Sequence, residues 1–312
     1  MNLKFSSIQG LGNGIFWIGQ DRGFFKDEGL TMDFVNIASA TEAIPQVAAN
    51  NIDAGTLVAG AAVFNSVNRD IPVKIVADAG QLRPGFGASA IVVRKDLIDS
   101  GAFKELKDLK GRSVAITGKG VLTHYLIGRA AESVGLDADK DLNLVVMQVQ
   151  DMMPALAAKQ VDIAEPVEPF MAQGIAQGIA VDFKGYDELF PNTQVTTLMF
   201  SPKLVRDNKD LGVRLMTAWL RSVTVFNAAF GPDKKDYDAI VQLLATNSKL
   251  SPDIVKKAKV LGYDPKGMPN VADINTQQDW YVKKGFVKNP VNVQDVLDLS
   301  LLQTALQKLG MA

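Results

Sequence analysis

The residues best suited to grip a small molecule lie in short glycine- and hydroxyl-rich segments, each at the end of a strand-like run and the start of a helical one. In Gly10-Leu11-Gly12-Asn13-Gly14 the glycines let bare N–H groups approach a ligand, and Asn13 can cap the helix or donate to the solute. A plain capped turn is the alternative, and the every-second-residue glycines do not meet the dinucleotide fingerprint. Phe16 and Trp17, one turn on, can wall a pocket with apolar surface or belong to the core. Ser39 and Thr41 offer hydroxyls before the next helix, and Gly60 with Ala61 leaves room either for a ligand or for close helix packing.

Further along, Thr117-Gly118-Lys119-Gly120-Val121-Leu122-Thr123-His124 opens a helix whose amide dipoles favour an anion. Thr117, Gly118, Gly120, Thr123 and His124 are its candidate contacts, Lys119 is either an added attraction or a solvated side chain, and the Walker ending is missing. Glu165 follows a strand and can accept from an amine or ring N–H; facing a ligand, it disfavours a simple sulfonate through like charge. Arg83 can fork onto a carboxylate or sulfonate, or stay exposed at a hinge. Glu168 reads as a solvated or capping carboxylate.

The elements that must position these residues repeat. Ile44-Pro45-Gln46-Val47-Ala48-Ala49-Asn50-Asn51-Ile52-Asp53 has a near-copy in Met153-Pro154-Ala155-Leu156-Ala157-Ala158-Lys159-Gln160-Val161-Asp162, with Pro, Ala-Ala and Asp at equal offsets. Asp53 and Asp162 are expected to cap the start of a strand. Alternating runs at 4–8, 32–37, 54–58 and 73–77, with helical spacing at 14–28, 42–50 and 61–68, predict a parallel α/β lobe. A second lobe is expected from strands at 90–93, 113–116, 144–147, 162–164 and 180–183, with helices at 121–134 and 152–159. Irregular stretches at 78–89 and 184–194 mark two crossings. A strand at 195–200 and helices at 210–230, 236–248, 251–262, 275–284 and 293–309 then return to the first lobe. The expected domains are 1–87 with 191–312, and 88–190.

Composition narrows the function. The 312 residues carry a net charge of -1, with no block of like charge to suit nucleic acid. No apolar run is long enough to span a bilayer. Cysteine is absent and His124 is the only histidine, which excludes disulfides, thiolate nucleophiles and multi-histidine zinc sites. No cofactor and no metal are expected.

The strings Asp21-Arg22-Gly23-Phe24-Phe25-Lys26-Asp27-Glu28-Gly29-Leu30, Leu106-Lys107-Asp108-Leu109-Lys110-Gly111-Arg112-Ser113-Val114-Ala115 and Val161-Asp162-Ile163-Ala164-Glu165-Pro166, with Glu168-Pro169-Phe170, resemble the solute-binding proteins of ABC importers. The nearest branch serves nitrate, taurine, alkanesulfonates and thiamine-pyrimidine precursors. That resemblance implies a type II periplasmic-binding-protein fold, two α/β lobes joined by two crossovers that close on a solute in the cleft between them. It implies a small organic anion as ligand, of sulfonate or aromatic or alkyl carboxylate type, with a neutral pyrimidine as the alternative. It further implies a membrane permease as partner, a monomer, and a periplasmic or lipid-anchored location, with the leader absent from the sequence in hand. The enzymatic rival, a thiamine-pyrimidine synthase on the same fold, carries a cysteine-rich motif and uses a histidine, a pattern this chain does not meet.

Overall fold

The computed structural model describes residues 1–7, 10–37, 40–58 and 60–312. Contacts divide the chain into two compact units: Met1–Gln81, Gln194–Pro252 and Gly262–Ala312 form the first, and Leu82–Thr193 with Asp253–Leu261 form the second. The first contains strands β1 (Asn2–Ser7), β2 (Thr31–Asn36), β3 (Ala54–Val58) and β4 (Lys74–Asp78), linked by α1 (Gly14–Asp21), α2 (Phe24–Asp27), α3 (Ala40–Ala48) and α4 (Ala61–Val67). The helix expected over 14–28 is two, because Gly23 turns through the left-handed region at φ 73° and ends α1.

The chain leaves this unit through the two-residue strand β5 (Gln81–Leu82). The second unit contributes β6 (Ala90–Arg94), α5 (Lys95–Asp99), β7 (Ser113–Ile116), α6 (Leu122–Glu132), α7 (Ala138–Asp141), β8 (Asn143–Val146), α8 (Val149–Ala157), β9 (Ile163–Ala164), α9 (Phe170–Ala176), β10 (Ala180–Gly185) and α10 (Tyr186–Leu189). After β11 (Thr193–Gln194) the first unit resumes with β12 (Thr196–Phe200), α11 (Lys209–Phe230) and α12 (Tyr237–Ser248). Next come α13 (Pro252–Lys257), α14 (Val271–Lys283) and α15 (Ser300–Lys308).

Two of the long C-terminal helices expected from spacing are shorter than expected. Between residues 293 and 309 the helix is interrupted because backbone at 296–298 turns aside to pair with Ile75 on the edge strand β4, which covers an otherwise open ladder. Residues 253–261 group with the second unit, not the first as expected, and α13 ends at Lys257. This excursion adds two chain passages to the two anticipated.

Both sheets share one plan. In the first the order is β2-β1-β3-β12-β4, with β12 antiparallel to both neighbours; read from its other edge, the second is β8-β7-β9-β6-β10, with β6 antiparallel to both neighbours. The parallel registers coincide: Phe5 with Ala54 and Ser6 with Gly55 in one, Val114 with Ile163 and Ala115 with Ala164 in the other.

The repeated aspartates sit at the start of each central strand and make equivalent bonds. Asp53 Oδ2 accepts the Lys4 N–H at 2.8 Å and Asp162 Oδ2 accepts the Ser113 N–H at 3.3 Å, each across 49 residues. Their other oxygens face cations at the carboxyl end of the antiparallel strand, Lys203 Nζ just past β12 at 2.7 Å and Nη1 of Arg94, the last residue of β6, at 3.3 Å. The helix preceding each aspartate ends in a left-handed residue, Asn50 or Lys159, as the chain doubles back. Replacing either aspartate by alanine strips a charged acceptor from a backbone donor and is expected to cost about 1.5–3 kcal/mol in urea unfolding. The two sites share no partner, so the double variant should lose the sum of both effects.

Candidate functional site

In the first unit, the segments beyond the carboxyl ends of β1, β2 and β3 are the candidate ligand loops. Ser39 lies outside the described residues. Gly10 adopts φ 145°, and a tight turn over Leu11–Asn13 closes with the Asn13 N–H on the Gly10 carbonyl at 3.3 Å. Gly12 is exposed, with open space where a Cβ would stand, and its carbonyl accepts from the Tyr263 hydroxyl at 3.4 Å. Asn13 is buried, and its side chain does not cap α1. Thr41 is exposed within the first turn of α3, and Gly60 precedes α4 in extended conformation with Ala61 buried behind it.

Phe16 is a core residue and not a pocket wall. Its ring is fully buried, 3.8 Å from Phe5 and 4.8 Å from Trp219 between centroids, with Phe25 and Phe34 completing an aromatic cluster. Trp17, on the adjoining helix face, is half-buried.

The loop with Tyr263 is itself anchored by a carboxylate that the sequence did not single out. Asp78, at the end of β4, accepts N–H bonds from Gly80 and from the Gln194 amide through Oδ1, and from the Asp264 backbone through Oδ2. Burial outweighs these donors and pushes its pKa from 3.8 up to about 6.

In the second unit the loop 117–121 leaves β7 and opens α6. The Thr123 hydroxyl accepts the Thr117 N–H at 3.1 Å and lies 2.9 Å from the Thr117 hydroxyl, so the two threonines brace the loop. Gly120 takes φ 74° and donates its N–H to His124 Nδ1 at 3.2 Å. His124 Nε2 lies 3.2 Å from Asp139 Oδ1, which also faces Lys119 Nζ at 3.3 Å. Both ring nitrogens of His124 therefore face protein groups. The histidine fastens the loop to α7 instead of presenting itself to a ligand, and Lys119 is turned toward the same aspartate. Gly118 remains partly exposed, and the first-turn amides of α6 have no intrahelical acceptor.

Glu165 stands one residue beyond β9. Its N–H continues the ladder to the Ala115 carbonyl at 3.1 Å, which sets it beside Ile116 on the sheet face opposite Ala115 and Ala164. The side chain is fully buried, and neither carboxyl oxygen has a hydrogen-bond partner among the described residues. Burial drives its pKa well above the usual carboxylate range. Val121, Val146 and Val167, which follow or end β7, β8 and β9, leave apolar surface exposed at the same end of the sheet.

Arg83 is half-buried in a turn closed by the Phe86 N–H on its own carbonyl at 2.7 Å. Asp187 of α10 fixes that turn by accepting the Gly85 N–H. Glu168, expected to be solvated or capping, is nearly fully buried. It does cap, since its Oε2 accepts the Ala172 N–H in the first turn of α9 at 3.0 Å.

Two α/β units with this strand order, each carrying its loops beyond three parallel strands, define a type II periplasmic-binding-protein fold. Solved structures of that class superpose on the chain. The periplasmic nitrate-binding protein NrtA from Synechocystis PCC 6803 matches with TM-score 0.81 at 14% identity, covering 100% of this chain and 89% of that one. The periplasmic aliphatic sulphonate binding protein SsuA from Escherichia coli matches with TM-score 0.77 at 16% identity, covering 95% and 92%. The desulfurization enzyme DszB matches with TM-score 0.67 at 17% identity, covering 98% and 99%. No curated protein matches at a significant level. Residues 14–229 match the family described as NMT1/THI5 like, and the chain belongs to that family.

The Asp78 anchor makes a pH prediction. Its folded pKa exceeds the unfolded one, so its stabilising contribution is complete below pH 3.8 and is lost as pH rises through 6. Asp78→Asn should flatten a decline in stability between roughly pH 4 and 7 that amounts to about 3 kcal/mol at most, read from urea midpoints across that range.

Proposed function

We propose that this chain is the solute-binding component of an ABC importer, which captures a small organic anion by hinge closure of its two lobes and delivers it to a membrane permease. It acts as a monomer outside the cytoplasmic membrane, periplasmic or lipid-anchored. The observation that carries this reading is the duplicated sheet plan, which repeats the same loop-bearing strand ends in each unit, the position where α/β sheets bind ligands. Family membership and the nitrate- and sulphonate-binding neighbours support it. Among the described residues no helix is long and apolar enough to cross a membrane.

The state of Glu165 bears on ligand class. An ionised carboxyl there repels an anion, but one buried with no hydrogen-bond partner among the described residues holds its proton and then donates to an anionic oxygen. A small carboxylate or sulfonate with an apolar body suits that donor and the neighbouring valines. The same neutral acid pairs with a ring nitrogen, which keeps a pyrimidine as the second reading.

DszB shows that the fold also hosts an enzyme. This chain has no cysteine, and its one histidine is fully buried with both nitrogens facing protein groups, which does not suit a general base.

A thermal-shift screen over ethanesulfonate, benzoate, nitrate and 4-aminopyrimidine tests the proposal. A ligand at 100 times its Kd should stabilise the protein by about 2.7 kcal/mol. For the hit, Glu165→Gln should hold affinity within about threefold and Glu165→Ala should lose about tenfold, the worth of one hydrogen bond. Turnover of a probe without stoichiometric binding would overturn the reading.

A further inference from the structure

The excursion 253–261 leaves the chain of the first unit after Pro252, packs with the second, and returns at Gly262. Two bonds from one residue fasten it. The Lys259 backbone N–H donates to Glu168 Oε1 at 3.0 Å, and Lys259 Nζ reaches Asp182 Oδ2 on β10 at 2.7 Å. Glu168 spends its second oxygen on the Ala172 N–H of α9, so a single buried carboxyl bridges two backbone donors from two elements.

Beside this bridge lies a cavity of about 320 Å³, lined by Met171, Ala172, Ile175 and Ala176 of α9 and by Glu168, Asp182, Lys257 and Lys259. The Asp182 oxygen that does not bind Lys259 is buried without a hydrogen-bond partner among the described residues. Lys257 is exposed and Asp182 is half-buried, which leaves Glu168 as the nearly fully buried carboxyl of the bridge. We propose that residues 253–261 form a proton-responsive strap, clasped to the second unit through Glu168 when that carboxyl is neutral and loosened when it is charged.

The groups facing Glu168 fix the sign. Burial is the largest influence and raises its pKa from 4.5 to about 7; the Lys259 and Ala172 amides oppose this, Asp182 adds to it, and the Lys259 charge lowers it. The α9 residues lining the cavity carry no charge. Asp187 and Glu188 on α10 act on Lys259, reinforcing its protonated state, and are not among the influences on Glu168. With the strap released, Glu168 regains water and its ordinary affinity for protons. The clasped form thus binds a proton more tightly than the released one, so clasping strengthens as pH falls from 7 toward 4.5 and weakens as pH rises through 7. A carboxylic acid accepts one amide through its carbonyl oxygen and a second, more weakly, through its hydroxyl oxygen, so neutralisation relieves the buried charge and keeps both ends of the bridge.

Hydrogen–deuterium exchange of the peptide covering 253–261, corrected for intrinsic rates and referred to α11, reads the clasp directly. Between pH 7 and 5 protection should rise by up to about tenfold per pH unit, the limit for one linked proton. Glu168→Gln, neutral at every pH, should abolish that dependence. Asp182→Asn, which removes the like charge and leaves Glu168 in place, should keep the dependence and move it to lower pH. Protection in the wild type that is flat or rises with pH overturns the proposal, as does a wild-type profile persisting in Glu168→Gln. None of these readings involves a solute, so the strap and the transport role stand or fall separately.

Discussion

Each five-stranded sheet depends on a carboxylate at the first turn into its central strand. Asp53 and Asp162 bind the backbone of the neighbouring parallel strand and a cation at the carboxyl end of the antiparallel one, so one side chain pins three strands at the same end of the sheet. Parallel pairing lacks the tight hairpins that fix register in antiparallel sheets, and a one-residue slip would turn every buried side chain outward. With register set at one end, the opposite end can carry irregular, glycine-bearing loops at little risk to the core.

Those loops gain order from side chains whose types and positions resemble ligand contacts. Thr117, Thr123, Gly120 and His124 bind one another and Asp139, and the Gly10–Gly14 turn rests on Tyr263 through Gly12. On the proposed function, these loops offer a solute mostly backbone amide and small apolar surface, together with an acid that has no hydrogen-bond partner among the described residues. Binding chemistry of that kind rests on held positions more than on reactive groups.

The sequence made the architecture legible because its signals are local. The decamer repeat, the alternation at 54–58 and 113–116, and the aspartate offsets all fall within one supersecondary unit, and the strands formed where the pattern put them. The individual side chains were less legible because their partners are remote. Helical spacing puts Phe16 on an apolar face without saying that Trp219 fills the space against it. His124 meets Asp139 only because α7 folds back beside the loop, and Glu168 meets Lys259 across 91 residues. Backbone rerouted to cover the edge strand β4 likewise leaves no periodic trace at 296–298.

The matching of the two sheets has an evolutionary consequence. A chain whose halves share a scaffold, and whose irregular loops lie at the far rim from the pins that hold it, can diversify asymmetrically. One half is at liberty to drift toward a new preference while its twin conserves the inherited one, and a lineage with many cargoes then needs no new architecture.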